Sequence, residues 1–159
     1  MKVSKTNAMR ILDKKKIGYE LLTYENKDGK IDGLSVAEKI GKDPAKVFKT
    51  LVAQGASKEL YVFIIPVADE LDLKKGAKAA GEKKIEMIPV KEIQKWTGYI
   101  RGGCSPVGMK KGYPTFIHDG ARQLETIIVS GGKIGLQMEL KVSDLKDVTE
   151  AKLVNLKKE

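Results

Sequence analysis

Val47-Phe48-Lys49-Thr50-Leu51-Val52-Ala53-Gln54, followed across Gly55-Ala56-Ser57 by Leu60-Tyr61-Val62-Phe63-Ile64-Ile65-Pro66, decides the fold class. Two runs rich in β-branched and aromatic residues, joined by a short segment with a glycine, read as a β-hairpin. Upstream, Lys5 to Lys16 carries an apolar stripe of Ala8, Met9, Ile11 and Leu12 and reads as a helix ended by Gly18. Tyr19 to Tyr24 reads as a strand, and the polar run Glu25 to Gly33 as a mobile loop of the kind that often covers a site. Ser35-Val36-Ala37-Glu38 has the form of a capping box, and Asp43-Pro44 sets an N-cap before a proline. Downstream, Asp72 caps a helix over Leu73 to Ala80 that stops at Gly81, and Lys84 to Met87 is strand-like. Pro89 opens a helix to Trp96 with Val90, Ile93 and Trp96 inward. Thr115 to His118, Thr126 to Val129, Ile134 to Leu140 and Lys152 to Leu156 read as four more strands. Strands and helices mix without strict βαβ alternation. The expected architecture is α+β: one domain over residues 1 to 159, with a mixed, mostly antiparallel sheet or partly closed barrel and surrounding helices.

Composition narrows the function classes. The 159 residues, 42% hydrophobic and 32% charged, suit a soluble globular domain with a real core. The apolar stretch Leu60 to Val67 is far shorter than the roughly 20 residues of a membrane helix. Met1-Lys2-Val3-Ser4-Lys5 leads into a charged helix without a signal-peptide core, so the expected location is the cytoplasm, with no membrane partner. One cysteine excludes an internal disulfide, and one cysteine with one histidine argues against a zinc site. No metal and no cofactor are expected. The net charge of +9 comes from 30 basic residues, lysines except for Arg10, Arg101 and Arg122, against 21 acidic ones. Clusters at Lys14 to Lys16, Lys74-Lys75, Lys83-Lys84, Lys110-Lys111 and Lys157-Lys158 suit an anionic partner such as nucleic acid.

The chemistry-bearing residues are two glycine pairs and a lysine. Gly102-Gly103-Cys104-Ser105-Pro106 and Val129-Ser130-Gly131-Gly132-Lys133 read as turns that offer bare backbone amides to a carbonyl, an alkoxide or a phosphate. Neither is a phosphate-binding P-loop or a dinucleotide fingerprint, because the required spacings are absent. Each alone is also compatible with an ordinary hairpin turn. Lys49 interrupts a strand-like run on the side of Val47 and Leu51, where an ammonium needs a partner, a cleft or a phosphate unless it reaches water at a strand edge. Cys104 and His118 raise a Cys-His hydrolase as an alternative, although a lone cysteine usually serves packing. Ser105 before Pro106 reads as a turn residue.

These residues resemble the YbaK-type deacylases, relatives of the editing domain inserted in bacterial prolyl-tRNA synthetases. The resemblance runs from about Ala8 to Leu156. It is carried by Thr23-Tyr24-Glu25, Val47-Phe48-Lys49-Thr50-Leu51, Pro66-Val67-Ala68 with Leu71-Asp72-Leu73-Lys74-Lys75, Thr97-Gly98-Tyr99 running into Gly102-Gly103-Cys104-Ser105-Pro106 and Gly108, and Val129-Ser130-Gly131-Gly132-Lys133 with Gly135-Leu136. What it implies is release of a mischarged amino acid from tRNA, typically cysteine from the prolyl acceptor. Aminoacylated tRNA is then the partner, with prolyl-tRNA synthetase as a further one. The family's critical lysine falls on Lys49, with Gly102 and Gly103 as oxyanion donors. Tyr24, Ser105, Pro106, Ser130, Gly131, Gly132 and Gln137 fall at substrate-binding positions. Cys104 stands where the family is not characteristically cysteine. Gln137 stands where some members are acidic, and Asp32 near where some are aromatic. The resemblance also implies that the substrate's own thiol attacks its ester. Removal of alanine by water and a non-catalytic tRNA- or synthetase-binding module are the alternatives.

Overall fold

The computed structural model describes residues 4–159, so Met1-Lys2-Val3 of the leader reading lie outside the described residues. Helix α1 (Asn7–Lys14) starts at Thr6, whose Oγ1 accepts from the Met9 amide at 3.2 Å while the Thr6 amide donates to the Met9 sulfur. The helix ends at Lys15, and Lys16, at φ 58°, makes the left-handed turn expected of Gly18. Strand β1 (Glu20–Thr23) follows. Helix α2 (Gly33–Lys39) starts three residues before the expected capping box. Asp32 accepts from the Ser35 amide and is the cap, because its carboxylate reaches the free amides of the first turn.

The hairpin forms as read, from β2 (Phe48–Gly55) and β3 (Leu60–Pro66). Asp72 caps α3 (Leu73–Ala80), and Gly81 ends it at φ 73°. Strand β4 (Ile85–Met87) and helix α4 (Ile93–Thr97) follow. Between them Val90 begins a short 3-10 turn and is exposed, against the inward position expected, while Ile93 and Trp96 do pack on the core. Then come β5 (Thr115–His118), β6 (Thr126–Lys133), β7 (Leu136–Lys141), α5 (Val142–Thr149) and β8 (Lys152–Val154). Helix α5 has no counterpart in the sequence reading.

The strands make two sheets, β4-β2-β3-β5-β8 and β1-β7-β6. The first is mixed: β2 runs antiparallel to β3 and β4, whereas β3, β5 and β8 are mutually parallel. The second is antiparallel throughout. The two sheets meet at a parallel bridge between Val47 and Ile128, and no closed barrel forms among the described residues. The fold is α+β with mixed sheets, as expected.

Strand β3 lies between β2 and β5 and is buried on both faces. Leu60, Val62 and Ile64 face the core shared with Ile127, Val129, Met138 and Leu140 of the second sheet and Leu12 of α1. Tyr61, Phe63 and Ile65 face the other way and pack with Ala77 of α3, Phe116 of β5 and Leu156 of the C-terminal segment. A strand covered on both sides reads as a continuous apolar run, which is why Leu60 to Pro66 carries no polar alternation. No helix among the described residues is long and apolar enough to cross a membrane.

His118, at the end of β5, is 7% exposed, and its Nδ1 accepts from the Leu156 amide at 3.1 Å. Burial holds its pKa below the ordinary 6.5. The unfolded chain, with an ordinary imidazole, therefore takes up this proton first as the pH falls, so stability is lost below about pH 6.5. The melting temperature is expected to fall between pH 7.5 and 5.5, less steeply in His118→Asn than in the native protein; equal slopes in thermal scans would remove His118 from the acid response.

Candidate functional site

Strand β2 has β3 along one side for its whole length, but β4 borders the other side only from Ala53 to Gly55. The Phe48–Thr50 end is therefore free of a ladder partner on that side and faces β6 and the loop before Cys104 instead. A cavity of about 470 Å³ opens there. Its floor is Val47, Phe48, Lys49 and Thr50 of the β2 end, and Ser130 and Gln137 stand on a neighbouring wall. Arg101, Gly102 and Cys104 form another wall, and Gly29 to Gly33 with Val36 the last. The sequence expectation for the segment Glu25 to Gly33, as a loop beside the site, holds for its second half.

Lys49 lies on the floor with no carboxylate among the described residues within ion-pair distance, and Arg101 is likewise outside every ion pair. Asp32 is the acidic residue of the lining, and its carboxylate is engaged by Ser35. Lys49 is half-buried and Arg101 exposed at the rim, both with their charge unpaired, so the cavity is suited to an anionic or strongly polar ligand. The Thr50 hydroxyl adds to this: Oγ1 is buried with no partner among the described residues.

The two glycine pairs behave differently from two exposed turns. Gly102, at φ 84°, lines the cavity, and none of the described residues accepts its N–H. Gly103 is used by the fold: its N–H donates to the Ile100 carbonyl at 2.9 Å, and a Cβ on it would lie 2.9 to 3.0 Å from the Lys133 and Ile134 backbone. Gly131 and Gly132 sit inside β6, in a register break between Ser130 and Lys133, and the hairpin turn comes later, at Ile134-Gly135. A bulge needs the conformational freedom that Gly132 shows at φ 102°. The Gly131 carbonyl accepts from the Thr6 hydroxyl at 2.5 Å, and the Gly132 N–H donates to the Ser130 Oγ at 3.3 Å. Neither glycine lines the cavity. The pairs do meet, at Gly103 against Lys133-Ile134, but as packing.

Of the remaining expected residues, Ser130 and Gln137 are brought to the cavity as directly opposed residues of β6 and β7. Gln137 is 6% exposed, and its side-chain amide makes no hydrogen bond among the described residues. Ser105 is fully buried, accepts from the Val107 amide and stays away from the cavity. Pro106 lines a separate cavity with Lys14, Lys15 and Tyr113. Tyr24 lies behind the loop wall under the Lys39 ammonium, 5.9 Å from its ring centre. The Cys104-His118 pair is not assembled: Cys104 lines the cavity, His118 does not, and its Nδ1 is taken by Leu156. Burial pushes the Cys104 thiol up to about 11, opposed by a hydrogen bond with Thr97.

The profile of the aminoacyl-tRNA editing domain family matches residues 34–148. This chain belongs to that family. The matched span takes in Lys49, Gly102, Ser130 and Gln137, and ends within α5. An Enterococcus faecalis protein named "Putative Cys-tRNA(Pro)/Cys-tRNA(Cys) deacylase EbsC" is 43% identical over 152 residues, covering 96% of this chain and 93% of that protein. Among solved structures, one described as "a putative trans-editing enzyme for prolyl tRNA synthetase" superposes with a TM-score of 0.85 at 20% identity, covering 99% of this chain and 100% of that one. Another, hypothetical protein APE2540, gives 0.87 at 18% identity over 96% of this chain and 100% of the other. Both structural matches show a shared fold.

Sequence reasoning passed over two residues of this editing-domain cavity. Thr50 carries no motif of its own, and its signal is adjacency to Lys49 on a strand end. Arg101 precedes the first glycine pair, and as one of three arginines among 30 basic residues it was conspicuous by type.

Two outcomes follow from the local geometry. With its pKa near 11 against an ordinary 9.0, Cys104 is expected to react with iodoacetamide at pH 7.5 on the order of 100-fold more slowly than a free thiol, accelerating through pH 10. Mass-spectrometric alkylation rates check this. Gly103→Ala is expected to cost about 1–3 kcal/mol in urea unfolding, because the methyl group meets backbone that cannot swing aside; an unchanged midpoint would refute the tight contact.

Proposed function

We propose that this chain is a trans-acting aminoacyl-tRNA deacylase that releases cysteine from mischarged Cys-tRNA(Pro), and from Cys-tRNA(Cys), in the cytoplasm. Family membership and the name of the E. faecalis relative support the reaction class. The observation that carries the reading is the pairing of the partner-free Lys49 with the Gly102 N–H in one small cavity. At about 470 Å³ the space lies toward the small end of ligand sites, about 300–1,000 Å³. It suits the aminoacylated terminal adenosine, with the rest of the acceptor stem outside along basic surface.

In this reading Gly102 donates its N–H to the oxyanion that develops on the ester carbonyl, an interaction of about 3 kcal/mol by analogy with other oxyanion donors. Lys49 holds the ribose or phosphate oxygens of the terminal nucleotide, and Arg101 attracts the adjoining phosphate at the rim. Ser130, whose oxygen accepts from Gly132 and whose proton is left to donate, and the Gln137 amide meet the aminoacyl group. The cysteinyl thiol attacks its own carbonyl carbon. The bond to the tRNA 3′ oxygen breaks, the thiol proton passes to that oxygen, and a thiolactone and free tRNA leave. Holding sulfur and carbonyl together supplies the rate through proximity. The raised pKa of Cys104 keeps the protein's own thiol protonated and out of the reaction. Prolyl-tRNA synthetase is the natural source of the mischarged substrate and is proposed as the partner that hands it over.

Lys49→Ala is expected to lower kcat/KM for release of labelled cysteine from Cys-tRNA(Pro) by about 10–100-fold, mainly through a raised KM, because the contact it removes holds the terminal nucleotide in ground state and transition state alike. Equal rates would sink the role of Lys49. Faster release from Ala-tRNA(Pro), which lacks a thiol, would replace substrate attack with a water nucleophile. Tight tRNA binding without release would reduce the chain to a binding module.

A further inference from the structure

We propose that Lys39 is a positioning residue that clamps the movable wall of the cavity and so sets which aminoacyl groups fit; this rests on the deacylase reading above. Three walls are held by ladders or tight packing: the β2 end, the Ser130-Gln137 pair of β6 and β7, and the Gly102-Gly103 turn seated on Lys133-Ile134. The fourth, Gly29 to Gly33, belongs to no sheet. It is held by side chains of α2.

At the start of α2, Asp32 caps the helix through the Ser35 amide at 3.1 Å. At its end, Lys39 Nζ donates to the Glu25 carbonyl at 2.9 Å, to Asp28 Oδ1 at 2.7 Å and to the Lys30 carbonyl at 2.9 Å. The ammonium thus uses all three donors on one loop, over the ring of Tyr24. A lysine serving only as a solvated charge does not gather two carbonyls and a carboxylate from separate points of a loop. The clamp transmits to the cavity through Ile31. A Cβ on Gly102 would come within 2.8 Å of Ile31 Cδ1, so the isoleucine lies directly on the oxyanion donor of the deacylase reading. Gly33 at the wall's end is tighter still on Val67, 2.3 Å from its Cγ1 by the same measure. With one end fixed on Val67, the position of Gly29 to Ile31 depends on the Lys39 contacts. Releasing them widens the cavity beside Gly102, where the ester and its aminoacyl group sit in the deacylase reading, and leaves Lys49 and Gly102 in place.

The test compares the native protein with Lys39→Met, which keeps the stem and removes the donors, and with Asp28→Asn, an exposed change that removes one acceptor charge and leaves the fold intact. Steady-state kinetics are measured on Cys-tRNA(Pro) and Pro-tRNA(Pro), with amide hydrogen exchange over residues 25–33. Lys39→Met is expected to raise KM for Cys-tRNA(Pro) about tenfold with kcat within about threefold, and to lower the cysteine-over-proline ratio of kcat/KM about tenfold. Exchange at Gly29 to Ile31 is expected to rise at least about tenfold, with Asp28→Asn moving each quantity in the same direction by less. Unchanged KM and selectivity overturn the proposal, as does a loss confined to kcat. If the native protein releases no amino acid from any tRNA, the deacylase reading fails by itself. Binding of a non-hydrolysable cysteinyl-adenosine amide then decides: about tenfold weaker binding to both variants upholds the clamp, and equal binding refutes it.

Discussion

The parallel bridge between Val47 and Ile128 is the contact on which the site depends. It joins two sheets that otherwise share no ladder among the described residues, and it does so one residue before β2 begins. Val47, Ile128, Ala37 and Val67 form a small apolar cluster of their own around it. That cluster brings β6 against the β2 end while β4 stops short of it, so a gap remains in which polar side chains escape the main core. Without the bridge, Lys49 would be a surface residue of one sheet and Ser130 of another.

Placement also explains how a lysine can stand among buried strands. The two main cores take the odd and even residues of β3, and β2 joins them through Phe48 and again from Leu51 onward. Lys49 and Thr50, between Phe48 and Leu51, belong to neither core. They therefore face a solvent-accessible recess where an ammonium keeps part of its hydration. The glycines divide the work: Gly102 leaves an amide unspent, while Gly103, Gly131 and Gly132 let backbones and the Thr6 hydroxyl come close enough to hold that amide in place.

Much of this was legible in the sequence. The hairpin, the Asp72-capped helix and the Asp43-Pro44 turn follow from local rules that tertiary packing does not override. The two glycine pairs were read as alike because each sits between apolar runs, and only strand register separates a bulge from a turn. Helix α5 was missed because Val142 to Thr149 buries only Val142 and Leu145, too few apolar positions to show a period. Ser105 and Pro106 follow Gly102 closely in sequence, yet the chain turns inward after Cys104 and carries them from the cavity. Lys49 stood out as a charge interrupting a strand-like run and Ser130 beside a glycine pair, Gln137 was found through resemblance, and the convergence of the three depends on the long-range bridge, which has no local signature.

The unequal anchoring of the cavity walls has an evolutionary consequence. Residues 25–31 contribute no fully buried apolar side chain, so substitutions there leave both cores untouched. Changes at Lys49 or Ser130, by contrast, fall on strands whose register orders the whole molecule. If the cavity selects the aminoacyl group as proposed, a lineage can retune its preference among small amino acids by drift in one short loop while the floor stays constant, at little cost to the stability of the fold.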